Sequence, residues 1–198
     1  MDILGDIKIN EKTREKLDDI LRIDQDYMLG LEETKKFISY LEKTNGSNYD
    51  FGFAYYMNAL FNKFLNNIDI AISDLQKSNK YYNDEEDSEI NKINNKWIEA
   101  DMVYEFQNKN EQAIKLYTEC YDFHKIRNKA SSKQACAILL CNIGNLEHNE
   151  LKIKKGLNLY KMLDDINPIE KQNVLKEMQK YLNSTFTYNK KLNRKIEA

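Results

Sequence analysis

Apolar residues recur at helical spacing along most of this chain. Leu17, Ile20, Leu21 and Tyr27 stripe residues 9–27, and Leu31, Phe37, Ile38 and Leu41 stripe 31–44. These spacings predict two amphipathic helices, ended by the turn-forming run KTNGSN at 43–48. A further segment recurs three times, as DIAISDLQKS at 69–78, EQAIKLYTEC at 111–120 and KKGLNLYKML at 154–163. Each copy has a small residue (Ala71, Ala113, Gly156) with a large apolar or aromatic one four places on (Leu75, Tyr117, Tyr160). The small residues stand 42 and 43 apart, which is a repeat period. Twelve residues before each lie Ala59, Asp101 and Gly144, and four before those lie Tyr55, Trp97 and Leu140. Polar breaks at 65–67, 107–110 and 148–151 separate the two halves. Each unit therefore reads as helix, short turn, helix. Small residues mark where the two helices cross, and large ones fill the space between units. A last amphipathic stripe (Val174, Leu175, Met178, Tyr181, Leu182) predicts a helix over 169–183 that caps the array, followed by a basic tail.

Composition agrees. One proline and six glycines in 198 residues leave too few turn residues for a β-rich or alternating α/β chain. The expected fold is all-α, with an N-terminal helical pair at 1–48, three helical hairpins at 49–168 and a capping helix with its tail at 169–198. Thirty basic and 32 acidic side chains give a net charge of −2 and no reason to expect a nucleic-acid surface. No run of apolar residues approaches the length of a membrane helix, and MDILGDIKIN has no signal-peptide pattern. Three cysteines without CxxC spacing favour a reducing compartment, so the expected location is cytoplasmic.

Catalytic patterns are not found. The only histidines are His124 and His148, and no nucleophile elbow, zinc-binding HExxH or phosphate-cradling loop occurs. No enzyme activity, cofactor or metal is expected. Cys120, Cys136 and Cys141 read as small core filler. His124 reads as a surface or satisfied side chain. The acidic run Asp84, Glu85, Glu86, Asp87 and Glu89 reads as a solvated loop, and Lys190, Lys191, Arg194 and Lys195 as a solvated end.

The unit resembles the tetratricopeptide repeat. The second copy supplies Trp97, Ala100, Tyr104, Ala113 and Tyr117, and the third supplies Leu140, Gly144, Gly156, Tyr160 and Pro168. Asp101 and Glu147 depart from the pattern, and the period is longer than the family's typical ~34 residues. The resemblance implies a right-handed α-solenoid whose first helix in each hairpin lines a concave groove. It places Tyr56, Lys63 and Phe64 there from the first copy, Met102, Glu105 and Phe106 from the second, and Asn142, Asn145, His148 and Asn149 from the third. Asn142, Asn145 and Asn149 are spaced i, i+3, i+7, as residues on one helical face are. Amides there would suit a peptide backbone, with aromatic and Met positions holding its side chains. Within the family, the long units and asparagine-bearing helix are similar to the peptide-pheromone receptors of Gram-positive bacteria, the Rap phosphatases and their relatives. That similarity implies a regulatory receptor for a signalling peptide or protein segment. The alternative is a structural subunit or adaptor that uses its convex face or end helices.

Overall fold

The structure, a computed structural model, describes residues 3–82, 86–164 and 166–196, and their side chains apart from those of 3–8, 86–87 and 191–196. The acidic side chains of 84–87 and the basic Lys191, Arg194 and Lys195 lie outside the described residues. Nine α-helices and no strand are found among the described residues. They are α1 (Ile3–Asp19), extended by a π-helical turn (Ile20–Asp24), α2 (Tyr27–Thr44), α3 (Asn48–Phe64), α4 (Ile68–Tyr81), α5 (Glu86–Gln107), α6 (Asn110–Lys125), α7 (Ala130–Leu146), α8 (Glu150–Lys161) and α9 (Pro168–Ile196). The all-α expectation holds. The capping helix runs on to Ile196, so most of the expected tail is its last turns.

Local chemistry sets the helix ends. Asp26 accepts from the Leu29 amide at 3.0 Å and Ser47 from the Asp50 amide at 3.1 Å, so short polar side chains cap α2 and α3. Asn45, left-handed at φ 51°, ends α2, and the Gly46 amide donates back to the Leu41 carbonyl. Three other connections share one build, a left-handed residue followed by the residue that starts the next helix. They are Asn66–Asn67, Asn108–Lys109 and His148–Asn149, with φ of 63°, 52° and 52° at the first residue. These turns stand 42 and 40 residues apart.

Counting from them corrects the register of the third copy. Cys141 and Ile153 stand where Ala59 and Ala71 stand in the first, and Gly144 and Gly156 come one helical turn later. The two glycines still mark a helix crossing. A Cβ on Gly156 would lie 2.5 Å from the Ala137 carbonyl oxygen and 2.6 Å from Cys141 Sγ, and one on Gly144 would lie 2.8 Å from Ile153 Cγ1.

The chain divides into two compact units, residues 1–107 and 108–198. In the first unit, Leu17, Ile20, Phe37, Leu41, Ala54, Met57, Leu60 and Phe61 form one core, and Ala59, Ala71, Leu75 and Met102 form another. Trp97, expected as a wedge between repeats, is only half-buried. Asparagines clamp the helices together. Asp50 accepts from Asn10 at 2.9 Å and pairs with Arg14, tying α1 to α3. Asp74 on α4 accepts from Asn58 at 2.6 Å and Asn62 at 3.3 Å, both on α3. Asn95 on α5 donates to Ser78 Oγ at 2.9 Å and Asn79 Oδ1 at 2.8 Å. These bonds satisfy polar atoms that burial would otherwise leave unpaired. In the second unit, α9 packs on α7 and α8 around Ala137, Cys141, Ile153, Leu157, Tyr160 and Met178.

Candidate functional site

The residues expected in a groove fall into two sets, one per unit. In the first unit, α3 ends on Lys63 and Phe64 and α5 ends shortly after Glu105 and Phe106. Lys63 Nζ lies 3.9 Å from Glu105 Oε2, so these two helix ends are neighbours. Phe64 is 54% exposed and stacks on Tyr27 at 4.7 Å between ring centroids, while Phe106 is 43% exposed. Each phenylalanine stands two residues before a left-handed turn. Tyr56 is half-buried against both cores of this unit, and burial raises its hydroxyl pKa. Met102 corrects the expected groove. It has no exposed surface and closes the core with Ala59, Ala71 and Leu75, so no ligand touches it in this fold.

In the second unit, the expected asparagine face breaks up. Helix α7 ends at Leu146, so Asn149 is not on it. Asn149 instead caps α8, its Oδ1 accepting from the Lys152 amide at 3.2 Å. His148 is the left-handed turn residue. Its ring stacks on Tyr188 of α9 at 3.6 Å, and its carbonyl accepts from Asn189 Nδ2 at 3.2 Å. Both residues thus serve turn and packing roles. Asn142 and Asn145 remain half-buried on α7. Asn142 lines a cleft of about 380 Å³ between α7 and α9, together with Ile138, Asn173, Glu177 and Tyr181. The first helix of this hairpin therefore faces α9 at Asn142.

All three cysteines are buried, as expected of core filler. Burial pushes the Cys141 thiol up to about 12 and raises that of Cys136. No cluster of metal-binding side chains occurs among the described residues, and none of their helices is long and apolar enough to cross a membrane.

His124 departs from the sequence reading. It completes the buried stripe Ala113, Tyr117, Cys120 and His124 of α6, a spacing legible in the sequence. Its Nδ1 lies 3.3 Å from Ser132 Oγ, and its Nε2 is buried without a hydrogen-bond partner among the described residues. Burial first, and then the Arg127 charge, lower its pKa from 6.5. The unfolded chain then takes up this proton at a higher pH than the native one. The resulting stability is present above pH 6.5 and is lost as the pH falls from there to the lowered native value. Urea midpoints measured between pH 7.5 and 5.5 should fall for the native sequence and stay flatter for His124→Gln.

Comparison with protein-family models, with characterised proteins and with solved structures finds no match for this chain.

Proposed function

We propose that this chain is a non-catalytic, tetratricopeptide-like binding module that takes up a peptide or protein segment in the cytoplasm. In this reading its hairpins form a right-handed solenoid, and it regulates the protein whose segment it holds or responds to a signalling peptide. The observation that carries the proposal is the pair Phe64 and Phe106. Both are large, exposed aromatics two residues before a left-handed turn, beside the Lys63–Glu105 pair. Rigid aromatic rings give large contact area at low entropic cost and are common anchors of binding interfaces. The ion pair is partly exposed and contributes little to stability, which leaves its charges available to orient a bound chain.

A displayed library of linear peptides, selected on the immobilised protein, tests this. Enriched peptides should bind the native protein in solution. Phe64→Ala and Phe106→Ala should each weaken them about tenfold, or about 1.4 kcal/mol, with little change in melting. Enriched peptides indifferent to both substitutions, or no enrichment, would favour the structural-subunit reading.

A further inference from the structure

A cavity of about 550 Å³ in the second unit is built from the end of α6, the turn after it, the start of α7 and the end of α8. Three features of its lining go together. His124 lies within it, 7% exposed, with Nε2 unpartnered among the described residues. A buried ring nitrogen without a partner is an uncompensated cost in the free protein, and a ligand can remove it. Lys125, Arg127 and Lys133 also line it, and no carboxylate does among the described residues. Arg127 lies over the Phe123 ring at 3.5 Å and donates to its carbonyl at 3.2 Å, whereas Lys133 and Lys125, the latter 5.7 Å over the Tyr121 ring, are exposed and are the reachable cations. Ile126 and Met162, 81% and 76% exposed, form apolar walls with Leu159. Large apolar side chains held open to water at a concave, cation-lined site suit a ligand that is apolar at one end and anionic at the other.

We propose that this cavity binds a small amphipathic carboxylate. Its charged group meets Lys125, Lys133 and His124 Nε2, and its alkyl or aryl body lies against Ile126, Leu159 and Met162. In the complex Ser132 Oγ donates to His124 Nδ1, which leaves the ring proton on Nε2 for the carboxylate. Two ammonium groups and one ring donor suit a single carboxylate, and the apolar walls rule against a bare inorganic anion. The site lies wholly within the second unit and does not depend on the peptide-binding proposal.

The chain's two histidines make the test direct, because His148, stacked on Tyr188, serves as an internal control. The imidazole resonances of the intact protein are followed by NMR during titration with octanoate, 1-octanol and inorganic phosphate. Octanoate should shift His124 saturably and leave His148 in place. Octanol should bind at least about tenfold more weakly, and phosphate should leave His124 unmoved. The double variant Lys125→Gln, Lys133→Gln changes only exposed side chains, and should lose octanoate affinity about tenfold or more with an unchanged circular dichroism spectrum. Equal affinity for octanol and octanoate, a matching response to phosphate, an unweakened double variant, or no saturable His124 shift at millimolar octanoate would each overturn the proposal.

Discussion

Gly156→Ala lowers the melting temperature of the protein, although alanine is the better helix former by about 1 kcal/mol. The added Cβ would sit 2.5 Å from the Ala137 carbonyl oxygen, 2.6 Å from Cys141 Sγ and 3.2 Å from the Cys141 amide nitrogen. Two of those atoms are backbone of α7 and have no rotamer to move into. Helices α7 and α8 must part, and that seam buries Ile153, Leu157 and Tyr160. Overpacking of this kind costs about 1–3 kcal/mol, and Gly156→Leu exceeds it and prevents the α7–α8 hairpin from closing. Gly144→Ala has a milder effect, since its nearest atom at 2.8 Å is a side-chain carbon and the two backbone atoms lie at 3.0 Å. Thermal melts followed by circular dichroism check the order. A Gly156→Ala protein that melts at or above the native temperature would contradict the crossing geometry.

Phe61→Ala destabilises by about 3–5 kcal/mol, the range for deleting a fully buried aromatic. Phe61 has no exposed surface and lies against Gly30, where a Cβ would be 2.4 Å from its ring. Gly30 itself has no side chain to move into the space. Trp97→Ala costs less despite the larger side chain, because Trp97 keeps part of its surface in water. Urea unfolding of both variants gives the comparison, and a larger loss at Trp97 would reverse the assignment of the core.

The helices were legible because their signals are local. Polar breaks at 65–67, 107–110 and 148–151 coincide with the three left-handed turns, and the paucity of Gly and Pro already excluded a sheet. The register of the third copy was misread because small residues one helical turn apart satisfy the same pattern, and Gly144 and Gly156 outbid Cys141 and Ile153 as small residues. The two-unit division was invisible, since a repeat read by self-similarity implies equal joints throughout. The candidate site was legible only in part. Phe64 and Phe106 lie on the surface, whereas Met102 points into the core. Repeat register alone does not say which of two adjacent helix faces meets a neighbour. Asn149 carried a local signal that points the other way: an asparagine just before a helical run is a preferred N-cap. His148 was unreadable, because its partner Tyr188 lies in a helix 40 residues away.

The split at Gln107 also sorts the chain's spectroscopic and reactive groups. The single tryptophan, Trp97, belongs to the first unit, and Cys120, Cys136 and Cys141 all belong to the second. Trp97 is part-buried, so its emission changes when the first unit opens. Cys120 and Cys141 have no exposed surface, and burial pushes the Cys141 thiol up, so alkylating reagents reach these two only when the second unit opens. The unmodified protein therefore carries an optical reporter in one half and a chemical reporter in the other. Following tryptophan emission and thiol alkylation along one denaturant series distinguishes a single cooperative transition from two.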